Sequence, residues 1–160
     1  MPEKGALKYI AGYSIGLDMT IRGPEMPSWR KSVDTYAVCG PWLTTKDEVP
    51  DPNNLRLSLK VNGETRQQSH SSRMSVTIPE ILSNFSGLGY SAGDVLSTGT
   101  VAGVAGFKSE EERAGLYLKP GDVVEAEIEH IGVLRNPIIS WQDGHGTRPL
   151  ARVRPWGEGA

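Results

Sequence analysis

A carboxylate, a hydroxyl and a guanidinium occupy alternate positions near the start of the chain, at Asp18, Thr20 and Arg22. The segment 9–22 that contains them alternates apolar residues with small or polar ones, and this pattern predicts one long β-strand. Successive strand side chains point to opposite faces, so the three polar groups share a face. We interpret that face as the wall of a polar cleft. The alternative is a half-exposed strand whose Asp18 and Arg22 meet water.

Asp18 is a candidate ligand for Mg²⁺ or Mn²⁺, because hard cations prefer oxygen donors. One carboxylate makes a poor site by itself, and a hydrogen-bonded surface aspartate is the alternative.

Arg22, Arg30 and Lys31 gather positive charge near one loop. Arginine can hold a carboxylate in a bidentate fork, and lysine acts as a point charge. This group predicts carboxylate recognition, with a solvated basic loop as the alternative.

A glycine-rich turn around Thr100, spanning residues 97–103, is a further candidate for anion binding. Glycine permits positive φ and close approach, so such turns expose backbone N–H groups to a ligand. The segment lacks the lysine of a phosphate-binding P-loop, and no GxGxxG pattern is present. An ordinary glycine-rich turn is the alternative.

Two other sets of residues with metal-binding side chains do not predict a site. Glu125, Glu127 and Glu129 alternate with apolar residues, which indicates the solvated outer face of a strand. The histidines at positions 70, 130 and 145 are scattered, without the spacing of metal ligands or a nearby nucleophile. His145 can serve as a base only if the C-terminal tail folds over a site.

The composition is that of one globular domain of 160 residues. Nineteen glycines and eleven prolines indicate many turns between short strands. A net charge of −2 without a long basic run argues against nucleic acid as the main partner. Cys39 is alone, so no internal disulfide can form, and no targeting or membrane-spanning segment is visible. We therefore expect a cytoplasmic protein that does not bind a membrane.

The expected elements are mostly strands. Asn62-Gly63 predicts a hairpin between two strands, and Thr77 with Glu80 predicts a capped helix over 78–85. The remaining expected strands cover 35–38, 42–44, 94–98, 122–130 and 132–139, and an irregular tail covers 140–160.

Several short motifs, in their order along the chain, resemble the C-terminal catalytic portion of the fumarylacetoacetate hydrolase family. The similarity runs from about residue 9 to residue 136. Its motifs are Gly-Tyr-Ser-Ile-Gly-Leu-Asp-Met-Thr at 12–20, Arg-Lys-Ser at 30–32, Gly-Pro-Trp at 40–42, Pro-Asp-Pro at 50–52, Val-Asn-Gly-Glu at 61–64, Thr-Gly-Thr at 98–100 and Gly-Asp-Val-Val at 121–124.

The resemblance implies a mainly β (α+β) fold, a mixed β-sandwich roll with one or two short helices. It also implies a divalent metal, Mg²⁺ or Mn²⁺, that chelates a 2-oxo acid substrate. Asp18 matches a metal carboxylate, Lys31 the substrate-orienting catalytic lysine, and Thr100 a threonine that contacts the substrate carboxylate. Arg22 matches a substrate-binding arginine in part of the family. The implied chemistry is C–C bond hydrolysis of an acylpyruvate or related 2,4-dioxo acid through a metal-bound enolate.

Departures from the family pattern point to an incomplete site. The family's Glu-x-Glu metal pair, and often a His-Glu dyad on a lid, precede the region that this chain matches. We therefore expect a second polypeptide to supply both, within an oligomer. Gly23 after Arg22 and the insert at 108–118 also depart from the pattern. An isomerase, hydratase or decarboxylase of a 2-oxo diacid in aromatic catabolism, or a non-catalytic stabilising subunit, remain alternatives.

Overall fold

The computed structural model describes residues 1–145, and their fold is mainly β. Within these residues, two antiparallel sheets contain six strands. β1 (Gly12–Asp18) and β2 (Ala37–Thr45) form one sheet, and β3 (Arg56–Val61), β4 (Glu64–His70), β5 (Val123–Ile128) and β6 (Gly132–Pro137) form the other in the order β4-β3-β5-β6. The same part of the chain also contains three short α-helices: α1 (Ile78–Phe85), α2 (Glu110–Ala114) and α3 (Trp141–His145). The mainly β fold expected from the sequence is confirmed. None of the described helices has the length and apolar character to cross a membrane.

The helix α1 has the bounds that the sequence predicted, because its start signal is local. The Thr77 hydroxyl accepts a hydrogen bond from the Glu80 backbone N–H at 3.4 Å, and the Glu80 carboxylate accepts one from the Thr77 N–H at 2.6 Å. Such a capping box satisfies backbone donors that the helix itself leaves unpaired. Ile78 and Leu82 are buried against Ala6, which attaches the helix to the N-terminal segment.

The predicted hairpin at Asn62-Gly63 joins β3 to β4. Both turn residues adopt positive φ, 51° for Asn62 and 83° for Gly63, as a two-residue hairpin turn requires. Asn62 also connects this turn to β5, since its side-chain carbonyl accepts a hydrogen bond from the Val123 N–H at 2.8 Å.

The main core lies where β1 packs on the four-stranded sheet. Ile15 and Leu17 of β1 are buried with Val124, Ala126 and Leu134 of that sheet. Since strand side chains alternate, the intervening Gly16 and Asp18 are exposed on the other face of β1. The two-faced pattern predicted for this segment is confirmed at residues 15–18, whereas residues 12–14 of β1 are all partly buried.

Several predicted strands have different bounds in the structure. The strand expected over 9–22 covers only Gly12–Asp18, because residues 6–9 form a 3-10 turn and the N–H of Ile21 bonds to the Arg30 carbonyl of a returning loop. The pieces expected at 35–38 and 42–44 are one strand, β2, which continues through a cis Gly40–Pro41 bond. The strand expected at 94–98 is absent, because within residues 1–145 no neighbouring strand pairs with it. In the tail expected to be irregular over 140–160, residues 141–145 instead form α3, and residues 146–160 lie outside the described residues.

Asp122 is a buried carboxylate that fastens the turn before β5. It accepts hydrogen bonds from the Lys119 N–H at 2.9 Å, the Lys119 ammonium at 3.0 Å and the Asn62 side-chain amide at 2.9 Å. The Lys119 backbone donor and the Asn62 amide lower the pKa of Asp122 from 3.8 to about 2. Because folding lowers this pKa, the carboxylate stabilises the fold above about pH 4, and the contribution is lost as the pH falls toward about 2.

We therefore expect Asp122→Asn to lower the melting temperature at neutral pH, and the difference from the wild type to shrink between about pH 4 and pH 2. Circular dichroism melts across this range measure it. Asp94→Asn is the matched control, since Asp94 is an exposed aspartate that accepts a single backbone bond from Ser91. A melting temperature unchanged by Asp122→Asn at neutral pH would contradict the assignment.

Candidate functional site

The candidate site begins at the C-terminal end of β1, where Asp18, Thr20 and Lys31 form one hydrogen-bonded group. The Lys31 ammonium donates to a carboxylate oxygen of Asp18 and, at 3.1 Å, to the hydroxyl of Thr20. Lys31 reaches this position from a 3-10 turn at Trp29–Lys31. The turn is held against the end of β1 by the hydrogen bond between the Ile21 N–H and the Arg30 carbonyl, 3.0 Å long.

The Asp18–Lys31 ion pair lies at the surface, with side-chain exposures of 58% for Asp18 and 47% for Lys31. Exposed pairs of this kind add little to stability, because water screens the attraction and two long side chains lose freedom. A carboxylate and an ammonium so placed remain accessible to a ligand. The pair therefore fits a binding or catalytic role better than a structural one.

Arg22 lies beyond the end of β1, in a cleft next to this group. Its guanidinium lies 5.8 Å from the centre of the Phe107 ring. It also packs on the backbone of Gly106, where an added Cβ would lie 2.6 Å from the Arg22 Nε atom. The cleft is lined by Arg22, Gly23, Arg30, Gly106, Arg113 and Tyr117. Two of the three predicted cationic residues, Arg22 and Arg30, thus face one cleft, while Lys31 faces Asp18.

Thr100 lies in an exposed loop that crosses β4. The Gln67 side-chain amide donates to the Thr100 hydroxyl at 3.4 Å and to the Val101 carbonyl at 2.9 Å. Gly103 fits close to β4 with φ of 109°, and a Cβ there would lie 2.0 Å from the Arg66 carbonyl oxygen. Within residues 1–145, the hydrogen-bond partner of the Thr100 hydroxyl is therefore Gln67 and not Asp18 or Lys31. The contact of Thr100 with the substrate stays a prediction.

The described part of the chain does not complete a metal site. No cluster of three or more histidine, cysteine, aspartate or glutamate side chains is present within residues 1–145. Glu125 pairs with Arg135, and Glu129 pairs with Arg56, on the four-stranded sheet. These ion pairs agree with the outer-face interpretation of the glutamates. The described residues near Asp18 therefore provide fewer than three such side chains, too few to hold Mg²⁺ or Mn²⁺ by themselves.

The histidines lie apart from the Asp18–Lys31 group. His70 shares a hydrogen bond with the Ser72 hydroxyl at 2.7 Å, and His130 lines another cleft with Trp42. The side chain of His145, the base considered from the sequence, lies outside the described residues.

Arg113 and Tyr117 are cleft residues that the sequence analysis did not single out, because both lie in the insert at 108–118. A local signal was present. The Ser109 hydroxyl accepts from the Glu112 N–H, and the Glu112 carboxylate accepts from the Ser109 N–H, a second capping box that starts α2. The signal predicts a helical turn over the insert, although not where that turn packs.

Comparison with known proteins gives consistent matches. The family model described as fumarylacetoacetate (FAA) hydrolase C-terminal matches residues 1–139. The maleylpyruvate hydrolase of Aquipseudomonas alcaligenes is 43% identical over 142 residues, which cover 88% of this chain and 45% of that protein. A mitochondrial oxaloacetate tautomerase of Rattus norvegicus is 36% identical over 141 residues, covering 83% of this chain and 43% of that protein. The chain thus spans less than half the length of these curated relatives.

Solved structures with related names superpose on most of this chain. The fumarylacetoacetate hydrolase of Exiguobacterium antarcticum superposes with a TM-score of 0.80 at 34% identity, over 88% of this chain and 50% of that one. The maleylpyruvate hydrolase of Sphingobium sp. SYK-6, in complex with manganese(II) and pyruvate, superposes with a TM-score of 0.76 at 28% identity. The match covers 87% of this chain and 48% of that one. A 5-carboxymethyl-2-hydroxymuconate delta-isomerase of Mycobacterium smegmatis superposes with a TM-score of 0.75 at 31% identity, over 87% of this chain and 52% of that one.

Proposed function

Because the chain belongs to the fumarylacetoacetate hydrolase family, we propose that it carries the C-terminal part of an active centre that hydrolyses a C–C bond in an acylpyruvate or related 2,4-dioxo acid. In this reaction, water adds to the acyl carbon, the bond between that carbon and the pyruvyl CH₂ breaks, and the CH₂ carbon takes a proton to give pyruvate. The observation that carries the proposal is the exposed Asp18–Lys31 pair beside a cleft lined by arginines.

Lys31 and Arg22 have separate roles in this proposal. The breaking bond leaves negative charge on the pyruvyl fragment, and a fixed ammonium such as that of Lys31 stabilises developing charge without reorganisation. Lys31 is held in place by Asp18 and Thr20. Arg22 binds and orients the substrate, since a guanidinium can hold a carboxylate in a fork. Thr100 supplies a hydroxyl to a substrate carboxylate if its loop moves toward this group.

Mg²⁺ or Mn²⁺ is the proposed cofactor, with Asp18 as one of its ligands. The solved relative that holds manganese and pyruvate supports this assignment. When bound, such an ion polarises the oxo groups of the substrate. The described residues do not fit the ion by themselves, because no group of three or more potential ligand side chains is present within residues 1–145. We propose that a second polypeptide with a Glu-x-Glu strand and a lid provides the rest, in an oligomeric assembly.

A second candidate function is isomerisation, tautomerisation, hydration or decarboxylation of a 2-oxo diacid by the same groups. The relatives named as an oxaloacetate tautomerase and a hydroxymuconate isomerase favour it. These reactions pass through a similar negatively charged fragment and differ in the base and in the bond that breaks. A third possibility is a non-catalytic stabilising subunit. The activity of Asp18 variants distinguishes it from the two enzymatic functions.

A substrate panel separates hydrolysis from the other reactions. The assembled enzyme is isolated through a tag on this chain in its native host and given Mn²⁺, several acylpyruvates and oxaloacetate. Hydrolysis releases one pyruvate and one carboxylic acid for each acylpyruvate consumed. Loss of the substrate enol absorbance without pyruvate release would point to isomerisation instead, and release of CO₂ to decarboxylation. Conversion of none of these compounds would contradict the enzymatic proposal.

A further inference from the structure

A second cleft lies at the turn between β5 and β6, where β2 contacts β6. Its polar lining comes from Thr44 of β2, Glu48 in the turn after β2, Glu127 of β5 and His130 in the turn itself. The indole of Trp42, 61% exposed, completes the wall, and we call this site the Trp42 cleft. Because residues 1–145 contain no cluster of three metal-ligating side chains, its carboxylates suit an organic cation better than a metal ion.

Thr44 carries a buried hydroxyl that lacks a partner. The residue is only 3% exposed, and within residues 1–145 its Oγ1 atom forms no hydrogen bond. Leaving a buried polar group unpaired costs free energy, so nearly all such groups in proteins find a partner. Since Thr44 also lines the Trp42 cleft, a ligand with an N–H group there can supply the missing partner.

The Trp42 cleft carries negative charge that the described side chains do not balance. Glu48 and Glu127 are exposed, and neither forms an ion pair within residues 1–145. The residues opposite Glu127 on β3 and β6 are uncharged. Arg56 lies within electrostatic range of Glu127, but it pairs with Glu129, both of whose carboxylate oxygens it contacts. Two carboxylates of the cleft are therefore available to a cation.

The Trp42 ring is held in place by close packing on Gly132. A Cβ at that position would lie 2.9 Å from the indole Cζ2 atom, and the φ of 122° also favours glycine. The ring therefore keeps a fixed position while much of its surface stays exposed. A cation placed over the face of a tryptophan is attracted by the ring quadrupole, and tryptophan is the aromatic residue that gives the strongest attraction.

We propose that the Trp42 cleft binds a guanidinium group. A guanidinium is planar, so it can stack on the indole, and its five N–H donors can reach two carboxylates and the Thr44 hydroxyl together. An ammonium has three donors and no planar face, and should bind less tightly. Thr44 pairs with Tyr13, at the opposite end of β1 from Asp18. The site is therefore separate from the Asp18–Lys31 group and does not depend on the proposed function.

Titration of the 160-residue chain with N-acetyl-arginine methylamide tests the site. Nuclear magnetic resonance follows the indole N–H of Trp42 and the backbone N–H of Gly132. We expect saturable shifts of both signals. The lysine analogue should bind at least about 3-fold more weakly, and the citrulline analogue, which has the arginine shape without the charge, should not saturate.

Two variants separate ligand binding from a structural role. Glu127→Gln should weaken arginine-analogue binding about 5-fold or more, because it removes a charged acceptor. Glu111→Gln, an exposed glutamate of α2, is the matched control and should bind like the wild type. Thr44→Val keeps the side-chain shape and removes the unpaired hydroxyl. It should weaken binding about 3-fold or more without lowering the melting temperature, since the lost hydroxyl has no partner within residues 1–145.

The guanidinium can come from a free small molecule or from this chain, which has arginines at 148, 152 and 154. Changing these three arginines to glutamine distinguishes the two sources. Several-fold tighter binding of the probe by this variant would identify the chain's own arginines as competitors for the site. Equal binding would identify a free ligand. A variant with glutamine at Lys4, Arg73 and Lys108, all exposed, controls for the change in net charge.

The inference is overturned by several results. One is the absence of saturable binding both in the wild type and in the variant without the three C-terminal arginines. Another is equal binding of the citrulline analogue, which would show that the charge is not recognised. A third is unchanged affinity in Glu127→Gln and in Thr44→Val, which would place the bound probe outside the Trp42 cleft. A lower melting temperature of Thr44→Val, with binding unchanged, would assign the hydroxyl to the fold.

Discussion

Replacing Asp18 by asparagine is expected to lower kcat/KM of the assembled enzyme by about 10²–10³-fold, since losing a metal ligand removes several kcal/mol of transition-state stabilisation. The side chain keeps its size and its place at the end of β1, so only the charge and one oxygen donor are lost. The Asp18 side chain is exposed on the outer face of β1, and the fold should therefore survive the change. Steady-state kinetics with the best acylpyruvate of the panel, at saturating Mn²⁺, measures the effect.

Asp47→Asn is the matched control, because Asp47 is an exposed aspartate in the turn after β2. It should leave kcat/KM unchanged. Full activity of Asp18→Asn in an assembled and folded complex would favour the non-catalytic subunit over either enzymatic function. Circular dichroism melts of both variants establish that the comparison is made on folded protein.

Replacing Lys31 by methionine should lower kcat by about 10²-fold or more, with a smaller change in KM, because the ammonium acts mainly on charge that develops in the transition state. Methionine keeps most of the length of the side chain and removes the charge together with the N–H donors to Asp18 and Thr20. Lys31→Arg should recover part of the rate, since a guanidinium restores the charge with a different shape and donor geometry. Stopped-flow single-turnover measurements separate this chemical step from product release.

Lys60→Met is the control for Lys31, because Lys60 is an exposed lysine on β3. The Lys31→Met variant should still bind Mn²⁺ in the assembled enzyme. The substitution removes an ammonium that competes with the ion for the Asp18 carboxylate and leaves that carboxylate in place. A large rise in KM with kcat unchanged would assign Lys31 to substrate binding alone and contradict its role in catalysis.

Elements with local signals could be predicted from the sequence. The capping box at Thr77 gave the bounds of α1, and Asn62-Gly63 gave the hairpin between β3 and β4. The expected strand at 94–98 failed for a non-local reason. A strand needs a hydrogen-bonding neighbour, and residues 1–145 provide none for this segment. The end of β1 likewise depends on a non-local contact, because the loop that carries Arg30 hydrogen-bonds to Ile21 just beyond the strand.

The candidate site could be predicted only in part. Alternation placed Asp18 on the polar face of β1, and the family resemblance singled out Lys31, whose ammonium contacts Asp18 in the structure. Alternation did not place Arg22 correctly, because the strand ends before it. Arg113 and Tyr117 could not be assigned to the cleft, since their position depends on how the insert packs against the loop after β1.

Manganese binding tests the central claim most directly: Asp18 is one ligand of a divalent ion whose other ligands come from outside these 160 residues. Titration with Mn²⁺, followed by electron paramagnetic resonance, is made on the isolated chain, on the assembled enzyme and on the assembled Asp18→Asn variant. We expect only weak binding by the isolated chain, one tight Mn²⁺ per copy of the chain in the assembly, and a marked loss of affinity in the variant. Tight binding by the isolated chain, or undiminished affinity in the assembled variant, would contradict the account.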